Sequence, residues 1–120
     1  MELAIDINKL AQKDPLRLSK AGDSLHKVCS RYLGYLTEKM VQYFTVKGYS
    51  RISTNSSLTV ATFVFKKENS IWKIKHILSE ERSRNFVALL TVTVEREALS
   101  GTEGYLKNLG IPGQFVSLVN

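Results

Sequence analysis

The stretch SLTVATFVFKKENSIWKIKHIL (residues 57–78) decides the fold. Its side chains alternate with a period of two, the pattern of strands that bury one face. Leu58, Val60, Thr62 and Val64 take one side, and Thr59, Ala61, Phe63 and Phe65 the other. KKENS (66–70) supplies a polar turn. Beyond it Trp72, Ile74, His76 and Leu78 share a face, with Ile71, Lys73, Lys75 and Ile77 opposite. SEERSR (79–84) is a second polar turn, and NFVALLTVTV (85–94) is rich enough in β-branched residues for a central strand. Three strands joined by short polar loops predict an antiparallel meander.

Upstream the period becomes helical. Leu25, Val28, Cys29, Tyr32, Leu33, Leu36, Met40, Tyr43 and Phe44 form one stripe, predicting a helix of about six turns. Asp23 or Ser24 suits its N-cap, and Gly48 stands beyond its end. Lys27, Arg31, Glu38 and Lys39 mark the polar side. An apolar stripe of that length needs a second layer, so the helix is expected to cover one face of the sheet.

Leu3, Ile7, Leu10 and Ala11 also fall at helical intervals, predicting a short amphipathic helix before Asp14–Pro15, followed by the polar connector RLSKAGDS (17–24). At the other end, GTEGYLKNLGIPGQFVSL (101–118) predicts a short helix around Thr102–Asn108 and a strand around Gln114–Val119. Thr102 or Ser100 would start that helix, Gly110 would permit a left-handed exit, and Pro112 would stop it resuming. The expected class is α+β in one domain: a long amphipathic helix on a small, mainly antiparallel sheet, with a short C-terminal helix and closing strand. A short helix and connector occupy 1–18, the long helix 19–48, and the sheet with its short helix 57–119.

Composition narrows the functional classes. Apolar residues are 43% and charged residues 23% of the 120, the mixture of a globular protein. No apolar run approaches the roughly 20 residues that span a bilayer. MELAIDINKL (1–10) lacks the basic region of a signal peptide. A lone Cys29 fits a reducing cytoplasm. The net charge of +6 is uneven: residues 51–84 hold seven bases and three acids, residues 85–120 two bases and three acids. Such a field favours phosphate backbones or an acidic protein surface.

Few residues suggest chemistry. His76 lies on the Trp72 face and is expected to be buried or half-buried and bonded to backbone, whereas His26 is read as a surface residue. Two separated histidines and one cysteine lack zinc-ligand spacing, so no metal is expected. Cys29 is read as a small core residue. IWKIKHIL (71–78) and NFVALLTVTV (85–94) contain no acid, whereas a metal-dependent nuclease of the restriction-endonuclease type needs carboxylates there. The spacing of Gly101, Gly104, Gly110 and Gly113 matches neither a P-loop nor a dinucleotide fingerprint. Neither a cofactor nor an enzymatic activity is expected. What remains is a basic patch of Lys66, Lys67, Lys73, Lys75, Arg82 and Arg84, edged by Ile71 and Ile77 and without exposed aromatics for base stacking.

Residues 58–119 resemble the XisI-like family, controlling factors for excision of a DNA element in cyanobacteria. The resemblance rests on Phe65, Trp72 after KKENSI, His76, Arg84, VALLTVTV (87–94), Gly101-Thr102-Glu103, Gly110-Ile111-Pro112, and Val116 with Leu118. The chain departs from the family at Lys66, where an acid is usual, and at Leu78-Ser79, where the family has Gly-Trp. The resemblance implies a non-enzymatic accessory factor in DNA rearrangement, partnered by a nuclease-like companion that carries the chemistry. DNA contact and self-association are both compatible with it. The alternative is a protein-interaction module, an adaptor or inhibitor that touches no nucleic acid. A third reading, a ligand carrier, requires Trp72 and His76 to line an open pocket.

Overall fold

The computed structural model describes residues 1–82 and 85–119. Its elements are β1 (Glu2–Asp6), α1 (Ile7–Lys13), α2 (Leu25–Val46), β2 (Ser50–Ser56), β3 (Val60–Lys67), β4 (Ser70–Leu78), β5 (Ala88–Thr93), α3 (Leu99–Asn108) and β6 (Val116–Val119). They form an α+β fold with one six-stranded sheet in the order β2-β3-β4-β5-β1-β6, every pairing antiparallel.

The helix and the meander follow their patterns. Ser24 is the N-cap of α2: it is extended and its side chain accepts the Lys27 amide. Gly48 takes the left-handed conformation just past the helix end (φ 93°). The α2 stripe from Val28 to Phe44 is buried except for the half-buried Tyr43, and it packs on the β4 and β5 side chains Trp72, Ile74, Leu90 and Val92. The turn of the β3–β4 hairpin is Glu68–Asn69, with Glu68 left-handed at φ 55°. Trp72, Ile74, His76 and Leu78 lie on the helix side of β4, as their spacing requires.

Three expectations change. The first six residues are not helical. Leu3 and Ile5 alternate inward as a strand between β5 and β6, and the helix begins only at Ile7. Asp6 makes the switch: its side chain accepts the Lys9 amide at 3.1 Å, capping α1 and ending the strand. Strand and helix periods both bury Leu3 and Ile7; Ile5, between them, separates the two, and it is buried as the strand period requires. Second, the sheet has six strands, adding β1 and β2 to the expected meander and closing strand. β2 had no signal because Ser50–Ser56 is exposed along its whole length; it is held by its pairing with β3, which breaks register between Arg51 and Ser53. Third, α3 starts at Leu99, after a 3₁₀ turn over Arg96–Ala98. Neither Ser100 nor Thr102 caps it, since Thr102 is buried inside the helix and donates to the Ala98 carbonyl at 2.9 Å.

The ends behave as closures. Gly110 has φ 94°, a left-handed backbone that favours glycine, and a Cβ there would also push on the end of the Leu16 side chain, 2.9 Å away at Cδ2. Phe115 is buried, and the strand that follows it pairs with β1. The connector between α1 and α2 is also tied down. Asp14, left-handed at φ 49°, accepts from the Leu18 and Ser19 amides, the Ser19 hydroxyl and the buried Tyr32 hydroxyl (2.6 Å). Tyr32 in turn accepts the Leu16 amide at 3.0 Å. Asp23 pairs with Arg31, whose guanidinium also donates to the Leu18 carbonyl at 3.1 Å.

Candidate functional site

The reactive side chains singled out in the sequence are engaged in structure. Cys29 is fully buried, and burial, with the Asp6 charge second, pushes its thiol up to about 11. A thiol so raised is almost wholly protonated at neutral pH and makes a poor nucleophile. His76 is half-buried on β4, and burial lowers its pKa. Its Nδ1 lies 3.3 Å from the Thr37 hydroxyl of α2, so its partner is a helix side chain rather than the backbone that was expected. His26 is not a free surface residue. It is half-buried, with Nε2 at 2.9 Å from the Ser79 carbonyl and its ring edge-on to Phe86 at 4.9 Å, pinning the loop after β4 to the start of α2.

Trp72 belongs to the core. It stacks on Tyr49 at 3.8 Å and meets Phe44 edge-on at 4.9 Å. Its Nε1 is buried with no hydrogen-bond partner among the described residues, a cost that ring packing must offset. Among the described residues, His76 borders a hollow of about 140 Å³ with Leu78 and the 57–61 segment, which Trp72 does not line. The open pocket required of a ligand carrier is therefore not built around this pair.

The structure divides the basic patch. Lys66, Lys73 and Lys75 point away from the helices: Val64 pairs with Lys73, Thr62 with Lys75, and Lys66 with Ile71. Lys67 turns to the other side, where its ammonium donates to the Lys47 carbonyl at 3.0 Å and lies 5.9 Å from the Tyr49 ring centroid. Arg82 is exposed at the far end of β4, beside an open hollow of about 620 Å³ with Leu58, Phe86 and Val87. Eight residue steps of β4 separate the ends, about 26 Å at strand rise. Arg84 lies outside the described residues. Three of the six proposed contacts thus form a cluster on the sheet.

That cluster stands on an uncovered surface. α1, α2 and α3 all pack on one face: α1 and α2 against each other and the sheet, and α3 through the Tyr105–Tyr43 stack at 4.4 Å. The opposite face carries Lys66, Lys73 and Lys75 amid Val64, Ile77, Leu89, Thr91 and Thr93. Its phenyl and indole rings all point inward, since Phe63, Phe65 and Trp72 are on the helix side. Among the described residues the ion pairs are Lys9–Asp6 and Arg31–Asp23, so the three lysines have no carboxylate partner there. Glu2 and Asp6 of β1 share this face two strands away from Lys73 and Lys75. Sequence reasoning missed these acids as part of the surface because it placed residues 1–6 in a helix; the alternation of Leu3, Ile5 and Ile7 was the available signal.

The fold and surface together define a helix-on-sheet α+β protein with an open, mixed-charge sheet face and no helix long and apolar enough to cross a membrane among the described residues. No family model, no curated protein and no solved structure matches the chain.

Proposed function

We propose that this protein is a non-catalytic basic accessory factor that works by contact, and that the open face of the sheet is its contact surface. The observation that carries the reading is the cluster of Lys66, Lys73 and Lys75 on a face with no covering layer. It is supported by the burial of Cys29, whose thiol pKa is raised, and by the structural hydrogen bonds of His26 to the Ser79 carbonyl and of His76 to Thr37. The resemblance of residues 58–119 to the XisI-like family points to the same accessory role, beside a nuclease-like companion in DNA rearrangement.

The chemistry of the face favours a protein over a nucleic acid. Phosphate recognition would use the lysines but gain nothing from Val64, Ile77 and Leu89, and Glu2 and Asp6 would repel it. Lysines interleaved with apolar and hydroxyl side chains suit a partially apolar partner that presents acids.

The test compares tagged K66E/K73E/K75E with a helix-side control, K13E/K20E/K27E, in capture from cell extract with and without nuclease treatment. The expected result is a partner kept by the control and by nuclease treatment but lost by the face variant. A partner lost on nuclease treatment would assign the face to nucleic acid. Direct DNA binding would then weaken with salt, with a log–log slope of about −0.9 per phosphate neutralised. Equal capture by both variants overturns the open face as the contact surface.

A further inference from the structure

We infer that the partner that covers the open face is a second copy of this chain, packed sheet against sheet about a two-fold axis that runs along β5. This rests on the open face being the contact surface and names its occupant.

The pairing registers carry the argument. Across the sheet, one row of outward side chains runs Val64–Lys73–Thr93–Glu2–Val119. The next runs Thr62–Lys75–Thr91–Ala4–Ser117. β5 is the middle of both, so β4 and β1 flank it at equal distances of about 4.8 Å, and β3 and β6 lie one strand farther out. A two-fold axis parallel to β5, midway between sheets about 10 Å apart, sets each β4 over the other copy's β1 and each β3 over its β6.

Every position in the first row then meets a suitable neighbour. Lys73 faces Glu2 of the second copy, twice by symmetry, and Val64 faces Val119. In the second row Thr62 faces Ser117, while Lys75 faces Ala4 and has Glu2 and Asp6 in the adjoining rows. Thr93 meets its own counterpart on the axis, and Thr91, already buried among its neighbours on this face, brings no like charge there. Asp6 keeps its cap on α1 and sits at the rim opposite Ile77. A two-fold axis perpendicular to the strands would instead stack β4 on β4 and set lysine against lysine. Of these two axis directions charge favours the one along β5, and an isologous contact must be self-complementary in this way.

The test is charge exchange followed by sedimentation velocity. The wild-type chain is expected to sediment as a dimer. K73E and E2K, each folded by circular dichroism, are expected to dimerise more weakly by roughly tenfold or more, because each homodimer has two like-charge contacts. An equimolar mixture of K73E and E2K is expected to regain the dimer, since both contacts become attractive. Wild-type-like dimers of the single variants, or a mixture that stays monomeric, would overturn the inference. A monomeric wild type would overturn it as well. The broader assignment of the face to a protein partner would survive that result if the face-lysine variant still lost its captured partner, and would fail with it if capture were unchanged.

Discussion

Replacing Phe44 with Ala is expected to remove about 3–5 kcal/mol of folding stability. Phe44 is fully buried near the end of α2, where the helix meets the β3–β4 hairpin. Its ring lies edge-on to Phe65 at 5.1 Å and to Trp72 at 4.9 Å, and tilted to Tyr49 at 6.5 Å. Truncation would remove a ring's burial and also the edge contacts that fix the Trp72–Tyr49 stack. These surroundings are strand side chains and a helix, so they cannot collapse freely into the space. Whole-domain stabilities are about 5–15 kcal/mol, so the variant is expected to be marginal. Urea unfolding checks this: the midpoint should fall sharply with little change in slope. A loss below about 1 kcal/mol would show that the aromatic cluster does not hold the helix to the sheet.

Asp14→Ala is expected to cost about 2–4 kcal/mol, by orphaning several donors at once. The Leu18 and Ser19 amides and the Tyr32 hydroxyl would lose their acceptor, and Tyr32 is buried. The same network predicts a pH dependence. Burial tends to raise the Asp14 carboxyl, but the hydrogen bonds from Ser19, Tyr32 and the two amides outweigh it and hold the group down to about 2. Its ordinary value is 3.8. A carboxyl lowered in the folded state stabilises fully above its unfolded pKa and loses that contribution as pH falls through the folded one. Wild-type stability should therefore decline between about pH 4 and pH 2, and the Asp14→Ala variant should show a shallower decline there. Parallel curves for the two proteins would remove Asp14 as the source.

The sequence made the α2 stripe and the three-strand meander legible because each kept one period over many residues with one buried face. The inward side of β4 was readable for the same reason, and the left-handed Gly110 from its place after a short helix and before Pro112. β1 was misread because strand and helix periods agree at Leu3 and Ile7, and the deciding residue, Asp6, acts through a cap rather than through hydropathy. β2 was invisible because Ser50–Ser56 buries no face and owes its strand form to β3. The basic patch was half legible. Alternation put Lys73 and Lys75 together, but the twofold choice at the strand end sent Lys67 to the helix side. Glu2 and Asp6 could join the surface only once the first residues were known to lie in the sheet.

Occupation of the open sheet face in solution is tested most directly by the acetylation rates of individual lysines, followed by mass spectrometry at low and high protein concentration. Lys73 and Lys75 are predicted to become protected as concentration rises, while the exposed helix-side Lys13, Lys20 and Lys27 react at unchanged rates. Rates at Lys73 and Lys75 that stay level with those of the helix-side lysines at every concentration would contradict it.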